Sequence, residues 1–484
     1  MSLDHLAPRS LWRHFAHLAT IPHGSGDEGA LRAVLIAMAQ ACVLEHQTDA
    51  AGNLLVRKPA VPGREARPGI VVQAHLDMVC EKHGHWPHDF ARDPLRLQVG
   101  RDGWLRARGT TLGADNGIGV AAMMALMEDR TLPHGPLELL FTVAEETGMR
   151  GARGLEPGWL QGRFLINLDA ECDDTLIVGC AGSRGTLLSL AVETAALPAD
   201  RAAARICLGG LLGGHSGMDI HRGRANPIRL LARLVADLET RLAVRLGALE
   251  AGFSPNALAR EARAVIGYPA GRRALLTEAV AHWEALLGRE YAGIEPGLKI
   301  DVQDADREIR PRILTQASQR AVLDLLLVLP HGVLAMSAAD SGLVETSTNL
   351  AAVATGEHRL TVSTKQRSLV ESRLEAVHAQ VAAAARLAGA AVSVHGAYPP
   401  WIPRADAVLR GAAAETYRRL FGRGPRVGAM HAGLECGLIG QVYPHLEMVA
   451  IGPNLRDPHS PQERVEIASV GKFWRYLKAL LAAL

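Results

Sequence analysis

The residues able to do chemistry in this 484-residue chain fall where short apolar runs end. The run from Ile70 to Ala74 ends in His75-Leu76-Asp77, and the run from Leu137 to Val143 ends in Glu145-Glu146. The run from Phe164 to Leu168 ends in Asp169, and the run from Glu447 to Ile451 leads on to His459. Asp115 sits in the loop Gly113-Ala114-Asp115-Asn116-Gly117, just ahead of a helical stretch. Two imidazoles with several carboxylates suit zinc or another borderline divalent ion. His75 and Asp77 share one face of a strand, so Asp77 can orient the ring of a metal-binding His75. Glu145 and Glu146 at the end of an apolar strand repel each other unless something positive compensates. A metal supplies that compensation: one Glu binds the ion and the other takes a proton from water. Each signal alone has a plainer reading, since most H-x-D pairs are incidental and a lone Asp115 suits a helix N-cap. Their joint occurrence in this order points to a metal site.

The elements that must position these groups alternate along the chain. The four runs suit strands buried on both faces of a sheet, and Asp27 to Gln40 and Gly117 to Glu128 read as helices between them. That alternation predicts an α/β layer with a mixed, mainly parallel sheet, whose strands present ligands at their carboxyl ends. From about Gly185 to Val394 the texture changes to two similar blocks of strand-like segments around long amphipathic helices. One runs through RICLGG and a helix from Pro227 to Leu246. The other runs through a helix from Leu314 to Leu327, then VETSTNLAAVATGEHRLTVST and a helix from Leu369 to Leu387. We read residues 187–394 as an inserted α+β domain, with 1–186 and 395–484 forming one discontinuous domain around it.

Composition narrows the function further. Lys plus Arg is 52 against 50 Asp plus Glu, a formal net charge of +2, which gives no footprint for nucleic acid or an anionic membrane. Aromatics are only 4%, so the cores must be built from Ala, Leu, Val and Ile. The six cysteines form no C-x-x-C pair, which argues against a disulfide framework or a thiolate zinc site. Neither a signal-type N-terminus nor a membrane-length apolar run is present, so the expectation is a soluble cytoplasmic protein.

Seven blocks carry a resemblance: QAHLDMVCEK, GTTLGADNGIG, FTVAEETGMRGARGL, NLDAE with VGCAGS, GGHSGMDIHRGRAN, HAGLECG and PHSPQERV. In this order, from about His5 to the C-terminus, they resemble the aminoacyl-histidine dipeptidases (Xaa-His or carnosinase-type dipeptidases). These belong to the di-zinc aminoacylase and carboxypeptidase superfamily of metallopeptidases. HLDMVCEK and HAGLECG separate that branch from the superfamily's deacylases. The resemblance implies a di-zinc exopeptidase-like α/β catalytic domain interrupted by a lid domain that also serves dimerisation. It implies two zinc ions per subunit, with Co2+ or Mn2+ as substitutes. His75 and Asp169 would bind one ion, Glu146 and His459 the other, and Asp115 would bridge them. Asp77 would clamp His75, Glu145 would be the general base, and the Asp115-Asn116 peptide would be cis. In the lid, His215 would stabilise the oxyanion, Asn256 and Arg367 would hold the substrate's terminal carboxylate, and Gly433 would offer backbone contacts. His221 and His431 lie in these blocks without an assigned role. The departures, Ala259 for Pro, Leu369 for Ser and His83 for Asn, touch specificity and none removes a ligand or the base.

The expected activity is therefore hydrolysis of dipeptides, preferentially β-Ala-His and Gly-His, by a water between two zinc ions and a Glu base. The expected partners are a small dipeptide and a second copy of the chain, with no nucleic acid and no membrane. The same machinery also suits an N-acyl amino acid hydrolase. A non-catalytic, metal-stabilised binding protein is the third reading, although Glu145 and every ligand type are in place.

Overall fold

A computed structural model describes residues 3–305, 312–404 and 407–484, which form two compact units. The first comprises the chain up to Cys180 with Trp401–Ala429 and Leu434–Leu484; the second comprises Ala181–Pro400 with Met430–Gly433.

The first unit is built on an eight-stranded mixed sheet. Its centre is four parallel strands in the order Leu137–Thr142, Ile70–His75, Phe164–Asn167, Glu447–Ala450. The first three are buried along their whole length, as near-continuous apolar runs require when helices cover both faces. Register brings the chemistry to one edge. His75 pairs with Thr142 and Gln73 with Asn167, so the chain leaves all three strands within two residues of one level and runs on into Asp77, Glu145 and Asp169. The stretch Gly117 to Glu128 is helical and nearly all buried, within a helix spanning Ala114–Glu128 whose Asp115 and Asn116 depart from helical angles. With few aromatics, its core is packed from Leu, Val, Ala and Met around Trp12, Phe15, Phe141 and Phe473. A four-stranded antiparallel sheet, including Leu455–Arg456 and Arg464–Glu466, carries the turn with His459.

The second unit is a nine-stranded antiparallel sheet. Strand Arg201–Gly209 buries Ala204, Ile206 and Leu208 in a common core with helices Pro227–Leu242, Arg273–Glu290, Gln316–Val328 and Glu371–Leu387. The two similar blocks thus share one sheet. The segment VETSTNLAAVATGEHRLTVST folds as two paired strands, Val344–Thr355 and Arg359–Ser368. The helix starting at Pro227 ends at Leu242, four residues before the expected Leu246. There Ala243 takes a left-handed conformation (φ 52°) and sends the chain into strand Arg245–Ala251. No helix among the described residues is long and apolar enough to cross a membrane.

Candidate active site

At the carboxyl edge of the first sheet, Asp115 lies between two imidazoles. Its Oδ1 is 3.1 Å from His75 Nε2 and its Oδ2 is 3.1 Å from His459 Nε2. His75 Nε2 also lies 3.4 Å from Asp169 Oδ1, and His459 Nε2 lies 3.0 Å from Glu146 Oε1. The Asp115–Asn116 peptide is cis, and Asn116 Nδ2 donates to Asp169 Oδ1 at 2.6 Å. Asp115 is therefore no N-cap: Gly113 occupies that position, and the carboxylate faces the histidines.

Asp77 organises the strand ends. It is buried, and it accepts hydrogen bonds from the backbone N–H of Glu145 (2.9 Å), the backbone N–H of Glu146 (3.1 Å) and the Ser25 hydroxyl (2.7 Å). Its Oδ1 is 3.5 Å from His75 Nδ1, which lies 3.0 Å from the Asp77 carbonyl. Ala144 just before the pair adopts φ 49°, with its N–H held by buried Glu28, so the turn that aims both glutamates is fixed from two sides. Burial works to raise the Asp77 carboxyl, but His75, Ser25 and the Glu145 N–H outweigh it and hold it down at about 2.

The donor set suits a bound cation. His75 Nδ1 lies 3.0 Å from the Asp77 carbonyl; a neutral ring that donates there leaves on Nε2 a lone pair facing two carboxylate oxygens. Acceptors do not face acceptors at about 3 Å unless a proton or a metal ion lies between them. The electrostatics say the same. Burial, then Glu146, pushes Glu145 well up; burial, then Asp115, pushes Asp169 up to about 7 and Glu171 up to about 8. Burial opposes charge on His459, yet Asp115 and Glu146 push it up to about 12. Five carboxyl groups are thus gathered with two imidazoles, an excess of negative charge that divalent ions relieve. Glu146 Oε1 is buried, with His459 Nε2 3.0 Å away. Ligand atoms of His75, Asp115 and Glu146 lie within 4.8 Å of one another. The residues present therefore fit bound metal.

Beneath this edge runs a buried polar chain that sequence reasoning missed. Asp169 N–H donates to Asn167 Oδ1 (3.1 Å), and Asn167 Nδ2 donates to Gln73 Oε1 (2.6 Å). Gln73 Nε2 and the Thr142 hydroxyl each donate to Glu435 Oε2 at 2.6 Å. Glu435 stands in the block HAGLECG, which marked the region without marking the residue. Burial pushes its carboxyl up to about 7.

In the second unit, Arg367, Asn256, His215 and Gly433 fall into one neighbourhood. Arg367 is 3% exposed and donates to Tyr398 Oη (3.1 Å), Ser216 Oγ (3.3 Å) and Asn256 Oδ1 (3.2 Å). Lys365 Nζ donates to the same Asn256 oxygen at 2.6 Å. A surface ion pair does not describe Arg367: its guanidinium is buried among neutral partners and makes no ion pair among the described residues. His215 Nδ1 accepts from the N–H groups of Gly217 (3.3 Å) and Met218 (3.0 Å), which leaves the ring proton on Nε2. Gly433 lies against Tyr398, whose Oη would meet an added Cβ, so only glycine fits there. His431 Nε2 is 2.7 Å from Ser347 Oγ, and burial with Arg367 nearby pushes its imidazole down to about 3. His221 lies exposed in the short turn Ile220–Arg222. Ser216, Lys365 and Tyr398 were not singled out from the sequence. Ser216 at least stood beside a chosen residue, in GGHSG.

This fold and site belong to a class with a name: residues 71–483 match the model for peptidase family M20/M25/M40, and the chain belongs to that family of peptide-bond hydrolases. Over 479 residues it is 40% identical to the cytosol non-specific dipeptidase of Escherichia coli K12, covering 99% of this chain and 98% of that one. It also resembles the crystal structure of aminoacylhistidine dipeptidase from Vibrio alginolyticus, with a TM-score of 0.81 and 38% identity over 100% of this chain and 98% of the other. A Staphylococcus aureus tripeptidase shares the fold at a TM-score of 0.57 and 17% identity, covering 99% and 98% of the two chains.

Proposed function

We propose that this chain is a metal-dependent dipeptidase that accepts Xaa-His dipeptides such as β-Ala-His and Gly-His. The observation that carries the reading is the Asp115 carboxylate, set with one oxygen against each of two imidazoles at 3.1 Å. The names of the two similar whole-length relatives, a non-specific dipeptidase and an aminoacylhistidine dipeptidase, support the substrate class. In this reading His75 and Asp169 would hold one zinc ion, Glu146 and His459 would hold a second, and Asp115, set between the two histidines, would serve both. Co2+ or Mn2+ can substitute, because the donor set is nitrogen and oxygen throughout. When bound, such ions polarise a peptide carbonyl and acidify a nearby water toward a pKa of about 7.

The protein's own groups do the rest. Glu145, whose carboxyl is raised by burial and by Glu146, takes the proton of the attacking water and passes it to the leaving amine nitrogen. Asp77 holds the His75 ring and both glutamate N–H groups, so ligand and base keep a fixed spacing. In the second unit, Arg367 and Asn256 take the substrate's terminal carboxylate, for which a buried guanidinium without an acidic partner is suited. His215 offers its Nε2–H to the developing oxyanion, and Gly433 offers backbone contacts. We further propose a cytoplasmic homodimer. The name of the Escherichia coli relative supports the location, and the family resemblance supports the dimer.

The test is hydrolysis of β-Ala-His, Gly-His and N-acetyl-His by chelator-stripped protein with and without added zinc. Zinc-restored cleavage of the two free dipeptides, with the acetylated compound left intact, is expected. Preferential cleavage of N-acetyl-His would move the chain to the deacylases, and zinc binding without any turnover would leave either another substrate or a binding protein.

A further inference from the structure

The block PHSPQERV holds, besides His459, an acid to which the mechanism gives no task. Glu463 is 2% exposed. Its Oε2 accepts the backbone N–H groups of Leu112 (2.7 Å) and Gly113 (3.0 Å), and its Oε1 accepts those of Ala114 (2.8 Å) and Asp115 (3.3 Å). Four consecutive main-chain donors therefore converge on one carboxylate. A regular helix or strand cannot present them so. The loop does because Gly113 adopts φ 67°, where an added Cβ would lie 2.9 Å from Met78 Sδ, and because Asp115 and Asn116 leave helical angles.

We propose that Glu463 is a positioning residue for the metal centre, locking the loop that carries Asp115 to the turn that carries His459. The inference rests on reading those two residues as ligands. The last of the four donors is the N–H of Asp115 itself, whose carboxylate spans His75 and His459. On the other side, Glu463 ties into the turn next to His459: its own N–H donates to the Ser460 carbonyl at 3.0 Å, and the Ser460 hydroxyl donates to the Asp457 carbonyl at 2.8 Å, closing the turn that contains His459. His459 sits within that turn at φ 60°. A carboxylate is the group for this work, since it is acceptor-only, has room for four donors and forms charge-assisted bonds. Ligand spacing across the Asp115–His459 pair is thereby set by a side chain that touches no substrate.

The test replaces one acceptor oxygen. In Glu463→Gln the amide keeps its shape but turns an NH2 group toward two of the four N–H donors. Zinc alone is the probe, its affinity measured by competition with a chromophoric chelator, beside apoprotein melting and dipeptide kinetics at rising zinc. Zinc binding about 10–100-fold weaker is expected, the range for losing a group that orients a ligand. Excess zinc should restore kcat, and KM should stay unchanged; a defect of folding alone would not respond to zinc in this way. Gly113→Ala disturbs the same loop from its opposite side and should reproduce the weaker zinc binding, with the double variant less than additive. Unchanged zinc affinity in folded Glu463→Gln overturns the proposal, as does lost apoprotein stability without lost affinity. Should Glu463→Gln fail to fold, Gly113→Ala decides alone: native zinc affinity in that variant sinks the idea. A wild-type protein that binds no zinc brings down the metal reading itself, and this inference with it.

Discussion

At the scale of single residues, the different surroundings of two adjacent glutamates are the sharpest feature. Their backbone N–H groups are pinned to the two oxygens of one buried carboxylate, Asp77, yet their side chains have different surroundings. Glu146 Oε1 stands 3.0 Å from His459, whereas burial and Glu146 itself dominate the electrostatics of Glu145. Glu145→Gln should therefore lower kcat by about 10²–10⁴-fold, the usual worth of a positioned general base, and leave KM and bound zinc nearly unchanged. Steady-state kinetics with metal analysis of the same preparation checks this. Loss of metal together with activity would make Glu145 a ligand instead.

At the scale of elements, the strand register is what converts sequence into a site, because pairing His75 with Thr142 and Gln73 with Asn167 brings three strand ends within two residues of one level. A helix start illustrates a purely local determinant. The Asn226 side chain accepts the Arg229 N–H at 3.1 Å and Pro227 follows at the first helical position, so the cap of Pro227–Leu242 is written in two letters. Asn226 Nδ2 also donates to the buried Leu350 carbonyl at 2.7 Å. Asn226→Ala removes these two bonds and the 3.4 Å contact of Nδ2 with His331 Nδ1, and should cost about 1–2 kcal/mol, read as a lowered Tm with faster hydrogen exchange across residues 227–242. An unchanged Tm would mean that the helix is held by packing alone. The end of that helix is not so written: nothing local marks Ala243 as the residue that turns left-handed. Periodicity alone carried the helix on to Leu246 for that reason.

At the scale of the whole molecule, the two units respond to different chemistry. All the proposed metal ligands lie in the first unit, while the second holds a buried imidazole, His431, and a half-buried one, His331, both held uncharged. His331 Nδ1 accepts the Leu350 N–H at 3.1 Å, which requires its lone pair, and burial with Arg229 nearby pushes the ring down to about 4. The unfolded chain takes up that proton near pH 6.5 and the folded chain does not, so the unfolded state binds more protons between the two values. His331 by itself should leave the second unit's stability unaffected above pH 6.5 and lower it by about 3 kcal/mol as pH drops from 6.5 to 4, and His431, pushed lower still, should add a loss of similar size. Hydrogen exchange resolved by peptide separates the two effects. Acidification to pH 5 should loosen residues 227–242 and 344–355, and chelator at pH 7.5 should loosen residues 112–117 and 457–463 instead. Equal loosening of both sets by chelator would remove the assignment of the ions to the first unit.

The sequence by itself determined which groups are on offer and roughly where: apolar runs ending in His75, Asp77, Glu145, Glu146 and Asp169, an Asp in a glycine-flanked loop, and a late histidine. Hydrophobic pattern and turn chemistry act over a few residues, so they are legible one segment at a time. Only the tertiary structure decided what those groups do to one another. Asp115 reads locally as a helix cap and becomes the group between two imidazoles because His459 arrives from 344 residues away. The bonds from Leu112 to Glu463 and from Gln73 to Glu435 span 351 and 362 residues. No local propensity encodes such a pairing. It exists because burying the sheet's apolar faces closes the chain on itself, and the polar groups carried inside must then find partners there.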